Sequence, residues 1–237
     1  MTSPTRVTRF AELCLRARTL AANDGRVLLG ITGPPGSGKS TLARAIVGEV
    51  GSGARLVGMD GFHLSQARLR ELGLLDRKGA IDTFDGAGFV TLVRRLRNPV
   101  EDVVYAPEFR RDLEESIAGS IPVERDVHFV VVEGNYLLVS DAPWGELFEM
   151  FDEVWYCEPD EDVRLANLIA RHRAYGKPEH KSRLWALGSD QRNAEFIATT
   201  RSRADVIVHI DGQLADWVGR TEPLSEETSC TRYPRQP

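Results

Sequence analysis

Gly33-Pro34-Pro35-Gly36-Ser37-Gly38-Lys39-Ser40 is the stretch of this chain whose residue types and spacing promise the most chemistry. The pattern G-x-x-x-x-G-K-S lets backbone wrap an anion, with successive N–H groups aimed at phosphate oxygens. A lysine at the place of Lys39 reaches β- and γ-phosphates, and a hydroxyl at the place of Ser40 is set to bind Mg²⁺. The surroundings agree. Val27–Thr32 before the loop is an apolar run of buried-strand length, and Leu42, Ala45, Ile46 and Val50 after it fall on one helical face. A nucleoside triphosphate site over Gly33–Thr41 is therefore expected, with Lys39 as its catalytic cation.

Two carboxylates are placed to serve that site. Asp60 stands in Gly58-Met59-Asp60-Gly61-Phe62-His63, after a second apolar run, and Glu133 closes the run Phe129-Val130-Val131-Val132. Ligands of open parallel sheets bind outside the carboxyl ends of the strands, so both groups should share a crevice with the phosphate loop. Phosphoryl transfer needs a base for the attacking hydroxyl and a ligand for Mg²⁺ or its water. Alone, Asp60 also fits a turn aspartate before glycine, and Glu133 a strand-end cap. His63, Arg110 and the charged stretch Arg110–Glu114 are candidates for contact with an acceptor, against the alternative of a charged surface loop.

Apolar, β-branched runs alternate with helical periods, which predicts βαβ units: an α/β, three-layer fold with a five-stranded parallel sheet and helices on both faces. Strands are expected at Val27–Thr32, Ala54–Met59, Val127–Val132, Glu153–Cys157 and Asp205–Ile210. Helices are expected at Lys39–Val50, about Gly86–Leu96, Glu161–Ala174 and Gln191–Arg203. Pro159-Asp160 caps the third of these, with Glu161 and Asp162 in its positive first turn. Phe10, Leu13, Cys14, Ala17 and Leu20 share a face, so residues 1–24 read as an amphipathic helix packed on the domain. The domain itself is placed at 25–218. Residues 219–237 are polar and proline-bearing, which predicts a mobile tail. Ile117–Ile121 looks like a hairpin or an excursion from the sheet.

The chain has 237 residues and 42% hydrophobic content, enough for one sizeable domain. A net charge of −5 argues against a general nucleic-acid binder. No apolar run approaches a membrane span, and the N-terminus lacks a signal-peptide core. Cys14, Cys157 and Cys230 are scattered, which fits a reducing cytoplasm. The histidines show no ligand spacing. Four lysines stand against twenty-six arginines, so an arginine cluster alone proves less here than usual.

GPPGSGKST, MDGFHL, YAPEF and VVVEGNYLL, in that order and spacing, resemble the P-loop kinases of the uridine kinase, phosphoribulokinase and pantothenate kinase group. The likeness runs from about Val27 to Ile210 and is strongest to bacterial nucleoside or fructose-transport-system kinases. It implies ATP and Mg²⁺, Asp60 as catalytic base, Glu133 with Ser40 at the metal, and a helical lid at about 164–185. In that lid Arg171 and Arg173 are the best matches to the family's positive charges. Uridine kinases carry a tyrosine–aspartate pair after the proline of the acceptor segment, whereas Pro107 is followed here by Glu108-Phe109-Arg110. The expected function is transfer of the γ-phosphoryl of ATP to a hydroxyl of a nucleoside, sugar or pantothenate-like metabolite. The competing reading is an NTP-hydrolysing switch acting through a protein partner, although N-K-x-D is missing. A cytoplasmic location and a small-molecule partner follow from the kinase reading, and a homodimer is compatible with it.

Overall fold

A computed structural model describes residues 3–175 and 178–209 of the chain. Eight strands occur among them: β1 Thr5–Val7, β2 Val27–Thr32, β3 Ala54–Gly58, β4 Val103–Arg110, β5 Glu115–Glu124, β6 Phe129–Glu133, β7 Glu153–Cys157 and β8 Val206–Val208. The helices are α1 Phe10–Ala21, α2 Lys39–Val50, α3 Gln66–Glu71, α4 Gly86–Arg97, α5 Glu161–Ala174, α6 Glu179–Leu187 and α7 Ser189–Ala198. Six strands form one parallel sheet in the order β1-β8-β7-β2-β6-β3, and β4 and β5 form a separate antiparallel hairpin.

Each strand alternates its side chains between two apolar layers, as a period of two requires. Leu29, Ile31, Phe129, Val131 and Trp155 face α1 and α2, where Leu13, Ala17, Leu42 and Ile46 complete a buried cluster. Leu28, Val130, Val132 and Val154 face the other way. There they meet Phe89, Val93 and Leu96 of α4, together with Tyr136, Trp144 and Ile197. The order places β2, which feeds the phosphate loop, between β7 and β6, while β3, which feeds Asp60, lies at the edge beyond β6.

The sheet has six strands rather than the expected five. Thr5–Val7 adds an edge strand in register with Val206–Val208, inside a segment read from sequence as helix alone. Three residues are too few to carry a period, and their pairing exists only once β8 is in place. Helix α7 begins and ends earlier than the expected Gln191–Arg203, and Arg201–Arg203 forms a separate 3₁₀ turn. Ile117–Ile121 lies within β5 and is not the turn of the hairpin, which falls at Arg111–Glu114 with Glu114 at φ 55°. Pro107 has no N–H to give the ladder, and the register slips beside it between Ala106 and Glu108. The segment 219–237, Cys230 and the stretch from Ile210 onward lie outside the described residues.

Two close approaches hold the crevice together. A Cβ on Gly61 would stand 2.4 Å from the Pro107 carbonyl oxygen, so only glycine lets the hairpin seat on the Asp60 turn. A Cβ on Gly134 would stand 2.5 Å from Met59 Cβ, which brings the segments after β3 and β6 together.

Candidate active site

Gly36 and Gly38 adopt φ +83° and +82°, conformations that turn consecutive N–H groups inward. Gly33 and Gly36 also press on their neighbours: a Cβ would meet Cys157 O at 2.7 Å and Arg164 O at 2.6 Å respectively. The loop thus nests against β7 and α5. Helix α2 starts at Lys39 with no side-chain cap, leaving its first amides and positive dipole end turned to the loop. Ser37 Oγ is buried and has no hydrogen-bond partner among the described residues. A buried orphan hydroxyl inside an amide-lined loop fits a bound phosphate oxygen.

Lys39 is buried, with its Nζ only 3.5 Å from the Pro34 carbonyl oxygen. Burial pushes its pKa down, while Glu133 and Asp60 pull it up. Ser40 Oγ donates to Glu133 Oε2 at 3.1 Å. Strand register explains the meeting, because Glu133 pairs with Ile31 of β2 on one side and Gly58 of β3 on the other. Burial and the neighbouring Asp60 raise the Glu133 pKa, against the pull of Lys39 and the Ser40 hydroxyl. A buried carboxylate short of positive charge and beside a hydroxyl is an oxygen donor set suited to a hard cation.

Asp60 sits in the 3₁₀ turn Met59–Phe62 that follows β3. Burial works against its ionisation, yet the charges of His63, Arg111, Lys39 and Arg171 outweigh that effect and hold the carboxyl below its ordinary range. Arg111, at the hairpin turn, donates to Asp60 Oδ2 at 3.2 Å. His63 Nδ1 donates to the Asp60 carbonyl oxygen at 2.8 Å, and its ring lies 4.1 Å from Phe84 and 4.8 Å from Phe109, centroid to centroid. Burial pushes the His63 pKa down. His63 therefore braces the turn with its ring packed among aromatics.

A cavity of about 760 Å³ joins these groups. Gly36–Thr41, Asp60 and Glu133 line it, with Pro107 and Phe109 of the hairpin opposite Asn167 and Arg171 of α5. The two arginines expected in a lid separate. Arg171 faces the cavity and burial pushes its pKa down, Arg111 adding to the effect. Arg173 is 59% exposed and lies 3.8 Å from Glu179, outside the cavity lining. Arg110 likewise points away and pairs with Asp112 at 2.9 Å. Of the two adjacent arginines, Arg111 is the one that lines the crevice.

Sequence reading did not single out Arg164, which is buried within α5. Its Nη1 donates to the Pro35 carbonyl oxygen at 3.0 Å, and its other nitrogens bind Glu161 and Gln191. Phosphate loop, α5 and α7 are thereby tied through one side chain. The signal available was an arginine on the fourth residue after the helix cap Asp160, but nothing local says which loop it would meet.

The sequence model of the ATPase family associated with various cellular activities matches residues 29–87. A Schizosaccharomyces pombe protein provisionally named uridine kinase is 35% identical over 216 residues, covering 85% of this chain and 91% of its own length. The crystal structure of a protein from a Silicibacter species, provisionally named a fructose transport system kinase, superposes with a TM-score of 0.76. It is 33% identical and covers 85% of this chain and 99% of its own. Pantothenate kinase of Latilactobacillus sakei is 26% identical over 210 residues, covering 77% of this chain and 67% of its own. The chain belongs to the P-loop kinases of the uridine kinase and pantothenate kinase group. It is a phosphotransferase, which removes the switch reading. No helix among the described residues is long and apolar enough to cross a membrane.

Proposed function

We propose that this kinase transfers the γ-phosphoryl group of ATP to a hydroxyl of a nucleoside, sugar or pantothenate-like metabolite, with Asp60 as the base. The observation that carries the reading is a single cavity shared by the phosphate loop, Asp60 and Glu133. The amides of Gly36–Ser40 and the Lys39 ammonium hold the β- and γ-phosphates. Ser40 and Glu133 would hold Mg²⁺, which supplies charge neutralisation across the phosphates when bound. Asp60 orients the acceptor hydroxyl and takes its proton as the new O–P bond forms and the bond to ADP breaks. Arg171 approaches the transferring group from α5, part of a lid over about 164–185.

Transition-state charge sits on oxygens that these cations already face, so little reorganisation is needed at the moment of transfer. The experiment is ADP release measured with and without a panel of nucleosides, vitamins and sugars. ADP release should depend strongly on one acceptor class and vanish in Lys39→Ala with the fold intact. Acceptor-independent hydrolysis of equal rate would sink the proposal.

A further inference from the structure

Arg111 occupies the acceptor half of the cavity with most of its binding capacity unspent. A guanidinium has five N–H donors in a planar fork. Among the described residues the hydrogen bond of Arg111 is the single one to Asp60 Oδ2, and the side chain is 36% exposed. Its guanidinium carbon lies 5.6 Å from the centre of the Tyr175 ring, beside the cavity lining of α5. Arg171 enters the same cavity from α5, and the nearby Arg111 charge adds to burial in pushing the Arg171 pKa down. Two like charges turned into one enclosed space leave room for an anion between hairpin and helix.

The donor side already has its own positive groups, namely the Lys39 ammonium and the loop amides at the start of α2. Arg111 comes from the hairpin instead, and its hydrogen bond is to Asp60 and not to the phosphate loop. Glu108 also lines the cavity, but it is exposed at the rim, where solvent screens its charge. The contact with Asp60 has a cost for catalysis: a carboxylate neutralised by a guanidinium is a weak base. An acceptor anion that takes the guanidinium would remove that restraint when the hydroxyl arrives.

Resting on the kinase reading above, we propose that the acceptor is anionic, a hydroxy compound bearing a carboxylate or phosphate that Arg111 receives, so that acceptor binding itself frees Asp60 to act. Arg111 is then the residue that selects the acceptor class.

The test uses the full chain, ATP, Mg²⁺ and matched pairs of acceptors: glycerate and glycerol, pantothenate and panthenol, ribose 5-phosphate and ribose, with uridine as a neutral nucleoside. The anionic member of a turned-over pair should exceed its neutral partner at least about tenfold in kcat/KM, the range of one charge-assisted hydrogen bond. The pairs also tell carboxylate from phosphate. Arg111→Gln should raise KM for that anion about 10–100-fold, with ATP Kd within twofold and the melting temperature held. Arg111→Lys should recover part of the loss, since charge returns without the fork. Preference for glycerol, panthenol, ribose or uridine would overturn the inference and leave the kinase reading standing. So would a loss in Arg111→Gln that falls on ATP Kd, since Arg111 would then serve the donor. Transfer to none of these compounds would take down both.

Discussion

Ser40 Oγ donates to Glu133 Oε2 at 3.1 Å, joining the first turn of α2 to the last residue of β6. The two oxygens come from different elements, the helix that follows β2 and the strand beside β2, and the parallel register of β2 with β6 brings them together. Activity should therefore vanish in EDTA and return with Mg²⁺. Ser40→Ala and Glu133→Gln should each raise the Mg²⁺ concentration needed for half-maximal rate. An unchanged Mg²⁺ titration in Glu133→Gln would reduce that residue to a strand-end cap.

The two carboxylates should respond oppositely when neutralised in the EDTA-treated protein. Asp60 is held below its ordinary pKa, so its ionised form adds stability above the unfolded value, lost as pH falls through the folded one. Glu133 is raised, so its ionised form subtracts stability increasingly as pH rises through the folded value. At pH 7.5 Asp60→Asn should lower the melting temperature and Glu133→Gln should raise it, both differences shrinking in acid. Each 1 kcal/mol reads as about 2–4 °C in a domain of this size. Shifts of the same sign would contradict the electrostatics described above.

Asp60→Asn keeps the shape of the side chain and removes the carboxylate proposed as base. General-base assistance is typically worth about 10²–10⁴-fold, so kcat should drop by that factor with ATP Kd nearly unchanged. Full acceptor phosphorylation by the variant would return Asp60 to a turn residue.

Arg171 and Arg173 give a within-helix control. Arg171→Ala should lose mainly kcat, because its guanidinium faces the cavity, whereas Arg173→Ala should stay close to wild type. Steady-state kinetics of both variants decide it, and equal losses would mean that α5 turns on closure.

Gly61→Ala should act through the hairpin. Its Cβ would need the space of the Pro107 carbonyl, so β4 must lift away from the Asp60 turn. Acceptor KM should rise by tenfold or more while ATP Kd, measured by titration calorimetry, holds. A matching loss of ATP affinity would show that hairpin and phosphate loop move as one.

The central sheet was legible because β2, β6 and β7 are largely apolar, and among the helices Glu161–Ala174 carries a clear start signal. The phosphate loop was legible because its glycines serve local geometry. What escaped depends on distant partners. β1 needs β8, and the hairpin turn at Arg111–Glu114 lacks a glycine signal while the glycine at 119 sits inside β5. Arg164 and Arg173 are both arginines of one helix, and their separation into a loop brace and an exposed side chain follows from what packs on each face. Arg110 and Arg111 differ in the same way, the first ending β4 and the second opening the turn, where it meets Asp60.

The two apolar layers have a consequence for how damage spreads through the molecule. The phosphate loop leads into α2, rooted in the layer with Leu42 and Ile46, whereas the Asp60 turn and the hairpin rest on the other layer through Met59, Val104 and Val123. Only one thickness of sheet lies between, yet the side chains do not mix. Donor grip and acceptor grip thus have separate foundations, and a void opened beneath one need not tilt the other. A chain built this way can vary its hairpin wall through successive sequences while the phosphate-loop wall stays plumb.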